Sequence, residues 1–143
     1  MTTTTYQTDF YAWAQQQASA LEAKDMVQID WQNLSEELNA MSGSQRRELN
    51  SRLVVLVMHL LKWHYQPSHR GASWKITMRN QRKELRWLLR DSPSLRPLLE
   101  GILIDAYADA RTDAAEETGL ALATFPPNCP WTTEQMLDPN WMP

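Results

Sequence analysis

The sequence predicts an all-α fold: a single-domain helical bundle of about five main helices, closed by a C-terminal strap rich in proline and tryptophan. Three observations predict it. Glycine occurs only at Gly43, Gly71, Gly101 and Gly119, too few for an all-β chain with its many tight turns. Apolar residues recur at three- and four-residue spacing in successive segments, which is the helical period. The 143 residues, 43% hydrophobic and 22% charged, suit one domain able to bury a sizeable core.

The first helix is expected over 8–24. Thr8 is the candidate cap, Asp9 suits the first turn, and Phe10, Trp13, Ala14, Gln17 and Leu21 fall down one side. A short second helix is expected over 30–41, capped by Asp30, holding Leu34, Leu38 and Met41, and ended by Gly43. The third, over 44–66, starts at Ser44 and stops before Pro67, because the residue preceding a proline avoids the helical region. Its LVVLVMHLL run is apolar almost all round and should be central. Glu48, Arg52, His59, Lys62 and Gln66 form its one polar stripe, within which Val55 also falls. Pro67 to Gly71 makes a turn. The fourth helix, over 72–90, has an apolar face of Trp74, Met78, Leu85, Leu88 and Leu89, with Gln81 inside it and a row of cations beside it. The fifth, over 93–118, opens at Pro93 and ends at Gly119. Leu95, Leu98, Leu99, Ile102, Ala106 and Ala110 give its apolar face, which Asp109, Asp113 and Glu117 continue. Residues 119–143 should strap across the bundle, with a short helix around Thr133 to Leu137.

Several words occur in order along the chain: DFYAW, LLKWHYQP, SW followed by QR, DSPSL, AYADAR, EETGL, FP and CPWTTEQMLD. Together they resemble the bacterial domain-of-unknown-function family 29 over roughly Asp9 to Pro143. The resemblance implies an all-helical bacterial domain and carries no activity with it.

Charge is uneven. Residues 1–43 hold one lysine against six acids, a net −5. Residues 44–96 hold twelve basic residues against three acids, a net +9. Residues 97–143 hold one arginine against eight acids, a net −7. The basic middle either pairs with the acidic flanks or faces an anionic partner. Cys129 is the sole cysteine, which excludes an intrachain disulfide and a cysteine-based metal site. MTTTTYQTDF does not read as a signal peptide. The longest apolar stretch, Leu53 to Met58, falls far short of the roughly 20 residues that span a bilayer. A cytoplasmic location, with no membrane partner and no cofactor, is expected.

Three constellations could carry chemistry. His59, His64 and His69 recur every five residues. Successive members then point about 140° apart, unlike a metal-binding pair at i and i+4, so no metal site is expected. Asp105, Asp109, Asp113 and Glu117 step by four along the fifth helix. Like charges at that spacing need compensation, from chain cations or from a divalent metal. Lys75, Arg79, Lys83, Arg86 and Arg90 form a ridge that could follow phosphates, with Ile76 and Trp87 beyond it. His59 and Lys62 of the polar stripe, Arg82 from the cations of the fourth helix, and Gln81, Asp109, Asp113 and Glu117, which interrupt apolar faces, are expected to converge in one partly buried network. No G-x-S-x-G or E-x-x-H motif is present. The function these features favour is a non-enzymatic module that binds another protein or its own copy. The alternatives are a nucleic-acid binder using the fourth helix and a metal-dependent, hydrolase-like enzyme using the acidic stripe.

Overall fold

The computed structural model describes residues 2–143, with side chains from Thr5 onward. Every regular element among them is helical: α1 (Thr2–Thr8), α2 (Phe10–Glu22), α3 (Trp31–Tyr65), α4 (Ala72–Asp91), α5 (Leu99–Thr118) and α6 (Thr133–Leu137). Three 3-10 turns, Pro67–His69, Pro93–Leu98 and Leu122–Thr124, join them. The chain is all-α, as the sequence predicts. Its contacts cluster in two compact units that divide after Ser44.

In the first unit the cap of α2 is Asp9 rather than Thr8: the Asp9 carboxylate accepts from the Ala12 N–H at 3.0 Å. Thr8 belongs instead to α1, an element the sequence reading lacked. Trp13, Gln17 and Ala20 form the buried side of α2, while Phe10 and Leu21, expected there, are half exposed. Gln17 is a linchpin. Its amide donates to the Gln28 carbonyl at 3.1 Å and accepts from the Asp30 N–H at 2.7 Å, so it holds the connection between α2 and α3. Trp13 Nε1 donates to Asp30 at 3.0 Å, and Asp30 also receives the Asn33 amide at 2.7 Å. Lys24 closes α2 in the left-handed region at φ 56°.

The helices expected over 30–41 and 44–66 are one element. α3 runs unbroken through Gly43. Glycine inside a helix costs only about 1 kcal/mol relative to alanine, and the flanking SEELNAM and SQRREL contain good helix formers on both sides. A glycine terminates a helix when its neighbours cannot continue it, and here they can.

The second unit, Gln45–Pro143, holds the main core. Leu49, Leu53, Leu56, Val57, Leu60 and Leu61 of α3 meet Met78, Leu85 and Leu89 of α4, and Leu99, Leu103, Ala106, Tyr107, Ala110 and Ala114 of α5. Phe125 and Met136 of the C-terminal segment are fully buried in the same cluster. The fifth helix begins later than its sequence suggests. Pro97 lacks an N–H and disfavours the α conformation at Arg96, so Pro93–Leu98 is a 3-10 turn and α5 starts at Leu99. It ends at Gly119, which takes the left-handed cap at φ 74° and donates to the Ala115 carbonyl. Leu95, Leu99, Ala106 and Ala110 are buried as expected, but the inner face of α5 is rotated to include Leu103, Tyr107 and Ala114, whereas Leu98 is exposed and Ile102 partly so.

The C-terminal segment has the predicted short helix, and Thr132 with Gln135 forms its capping box. It is fastened by hydrogen bonds to main-chain carbonyls. Tyr107 donates to Pro126 at 2.6 Å, and Arg111 Nη2 to Phe125 at 2.9 Å. Burial pushes the Tyr107 phenol up to about 12.

Candidate functional site

Lys62 and Glu117 are the two network candidates that bond directly, α3 to α5, at 2.8 Å. Lys62 is 8% exposed, with its ammonium 4.9 Å from the centroid of the Trp74 ring. His59 lies one turn earlier on α3. Its Nδ1 is 2.8 Å from the Val55 carbonyl. A carbonyl can only accept, so Nδ1 carries the proton and Nε2 is the free acceptor of the neutral ring. Burial holds the His59 imidazole below its ordinary 6.5, assisted by Lys62 and opposed by the Val55 bond and by Glu117.

The other network candidates go elsewhere. Gln81 accepts from Arg52 Nη1 at 3.2 Å, and Arg52 also meets Glu48 at 2.9 Å and Glu84 at 3.9 Å. Arg82 occupies a buried position of α4, between Met78 and Leu85, and is 2% exposed. It turns to the C-terminal segment: Nε donates to the Met136 carbonyl at 2.7 Å and Nη2 to the Trp141 carbonyl at 2.8 Å. Asp109 is exposed and Asp113 half-buried, on the flank of α5 rather than its inner face. Thus five of the seven fall into local sets, Lys62 with Glu117 and the neighbouring His59, Gln81 with Arg52, and Arg82 with the strap, while Asp109 and Asp113 join none of them. The rotation of α5 turns Asp109 and Asp113 away from the core. Arg52 was in plain view on the polar stripe of α3, and Gln81 in the apolar face of α4 was its signal.

The three histidines have separate surroundings. His64 meets Tyr65 and Trp131 edge-on, with centroids 4.7 and 6.1 Å away, and His69 Nδ1 sits 3.2 Å from Ser68 Oγ. Among the described residues no three His, Cys, Asp or Glu side chains gather closely enough to hold a metal ion. Cys129 is half-buried against the Trp131 carbonyl and the Met136 sulfur, and burial pushes its thiol up.

The ridge residues Lys75, Arg79, Lys83, Arg86 and Arg90 are all exposed. Indoles accompany them. Lys75 lies 5.6 Å from the Trp63 centroid, and Lys83 and Arg90 lie 5.3 and 6.0 Å from that of Trp87. Arg86 donates to the Leu137 carbonyl at 3.4 Å, and Arg90 meets Asp91 at 3.2 Å.

The first unit presents a different surface. Leu21 of α2 and Trp31, Leu34, Ser35, Leu38 and Asn39 of α3 line an apolar groove of about 460 Å³. Leu38 and Met41, expected to pack inward, are 64% and 65% exposed, and Trp31 is 56% exposed. An amphipathic segment need not have a core to face: among the described residues, Trp31, Leu38 and Met41 face solvent and Leu34 is partly buried.

No helix of the described residues is long and apolar enough to cross a membrane. No curated protein and no solved structure matches the chain. A family model described as Domain of unknown function DUF29 matches residues 5–142, nearly the whole chain, and with the order of sequence words and the all-helical architecture it establishes that the chain belongs to that family.

Proposed function

We propose that the chain is a non-enzymatic protein-interaction module whose contact face is the apolar stripe of α3 in the first unit. The observation that carries this reading is the exposure of Trp31, Leu38 and Met41 beside the Leu21–Leu34 groove. At 100° per residue, Trp31, Leu34, Leu38 and Met41 lie within an arc of about 80°, the layout of a helix that pairs with another helix. Exposed apolar surface of this extent marks interaction sites. Charge selects the partner. Residues 1–43 carry a net −5, which opposes pairing of two copies through this face and favours an amphipathic helix with basic flanks. A bacterial cytoplasmic setting fits a chain with Cys129 as its one thiol.

The test is fluorescence anisotropy with two labelled helical peptides, one alternating leucine faces with lysine flanks and the other with glutamate. The lysine peptide should bind and the glutamate peptide should not. Leu38→Glu with Met41→Glu should weaken binding by at least about tenfold while helicity stays unchanged. Absence of lysine-peptide binding, or equal binding by the double variant, would defeat the reading.

A second reading draws on the exposed ridge and on the half-exposed Trp87 within it. A nucleic-acid binder of this kind should shift generic single-stranded RNA or DNA in a gel, with an affinity that falls steeply as salt rises.

A further inference from the structure

In the second unit a cavity of about 290 Å³ is lined by Lys75, Met78, Arg79 and Arg82 of α4 and by Pro139 and Met142 of the C-terminal segment. Its wall is divided by chemistry. Lys75, Arg79 and Arg82 follow one another at i, i+4 and i+7, so one side of one helix supplies three cations. Met78, Pro139 and Met142 supply apolar surface. Of the ridge residues Lys75 and Arg79 line the cavity and Lys83, Arg86 and Arg90 do not, so it takes in one end of the ridge only.

Arg82 gives the cavity its significance. It is almost wholly buried, and its bonds go to two carbonyls and, at 3.9 Å, to the Met142 thioether. All three acceptors are neutral. Asp138 is the acid whose field reaches it, but no carboxylate stands within ion-pair distance of it among the described residues. A buried cation whose partners are neutral retains its field in a poorly screened place. Arg79, on the same wall, has no hydrogen bond or ion pair among the described residues, and the neighbour of Lys75 is the Trp63 ring. Two exposed cations, neither paired with a carboxylate among the described residues, and one buried guanidinium form a positive pocket with an apolar side.

We propose that this cavity binds a small organic anion: a carboxylate or phosphate monoester bearing a compact apolar group. Arg79 and Lys75 hold the oxyanion in the field of Arg82, and Met78, Pro139 and Met142 cover the apolar group. The guanidinium fork matches both heads. The volume of about 290 Å³ falls just below the roughly 300–1,000 Å³ of ligand pockets, which limits the occupant to a small molecule.

Calorimetry on the full chain tests this with four probes: phenyl phosphate, benzoate, inorganic phosphate and benzyl alcohol. Phenyl phosphate or benzoate should bind at one site, and the tighter of the two identifies the head group. Inorganic phosphate should bind at least about tenfold more weakly, and benzyl alcohol not at all. Arg79→Glu should lower the affinity at least about tenfold, and Lys83→Glu, outside the cavity, by less than about twofold. Independently of any variant, the methyl resonances of Met78 and Met142 should shift on titration with the bound anion. The proposal is overturned if neither anion binds up to about 10 mM, if inorganic phosphate matches phenyl phosphate, or if the methionine methyls stay still. A Lys83→Glu loss equal to that of Arg79→Glu would overturn it too, assigning the binding to the ridge.

Discussion

Lys62 is a buried cation with unlike neighbours: an indole face, a carboxylate at 2.8 Å and a neutral imidazole one turn away. Glu117 is half exposed at its side chain, so water supplies part of what the pair supplies. Glu117→Gln should therefore destabilise by about 1–2 kcal/mol in urea unfolding, less than a fully buried pair. Lys62→Met, which fills the same space without a charge, should restore most of that loss in the double variant. His59 makes the same region sensitive to acid. Its folded value lies below the unfolded 6.5, so the unfolded chain takes the proton first. The contribution of His59 is complete above about pH 6.5 and is lost as pH falls below it. Unfolding measured between about pH 7.5 and pH 5 should show stability falling with acid, and His59→Gln should flatten that slope. The polar stripe of an otherwise apolar helix made His59 and Lys62 legible in the sequence as residues needing partners, and the interruption of the α4 apolar face did the same for Gln81. Their partners were not legible. Arg82 bonds to carbonyls of Met136 and Trp141, and a main-chain acceptor leaves no mark in a sequence.

α4, the cap of α5 and α6 could be read almost to the residue, because proline, glycine and capping side chains act within a turn of where they stand. α3 could not, because a glycine is a weak breaker whose effect depends on what surrounds it. Two glycines of α5 show the contrast. Gly101 is inside the helix with open space where a Cβ would go. Gly101→Ala should stabilise the second unit by about 0.5–1 kcal/mol. Gly119 has the same open space but holds φ +74, and Gly119→Ala should cost about 1–2 kcal/mol. Chemical denaturation of the two variants should give opposite signs, and matching signs would mean that the cap is not what ends α5. The rotation of α5 escaped sequence reading for another reason. Leu98, Ile102, Leu103 and Tyr107 offer two overlapping apolar arcs, and only packing chooses between them.

The uneven charge of the chain is resolved sparingly. Among the described residues, Lys62–Glu117 is the ion pair that joins the basic middle to the acidic C-terminal segment. The ridge residues stay exposed, and none of them pairs with an acid of residues 97–143 among the described residues. Stability of the second unit rests instead on apolar burial, in which the C-terminal segment has a large part through Phe125, Met136, Trp131 and Trp141. Ending the chain at Thr124 would remove them all, uncover the core they pack against and strand Arg82, Tyr107 and Arg111. Burial of a side chain such as Phe125 contributes roughly 2–3 kcal/mol, against a total of about 5–15 kcal/mol for a domain. Such a truncation should abolish the cooperative thermal transition of the second unit by circular dichroism, and an unchanged melt would show that the strap is decoration. The dependence of Arg82 on carbonyls 54 and 59 positions later also sets an order of events during synthesis. A nascent chain presents the α4 guanidinium before the carbonyls that accept from it have been translated. At about 5–20 residues per second that interval lasts some 3–12 seconds, long enough for a ribosome-associated chaperone to be the first thing that touches this face.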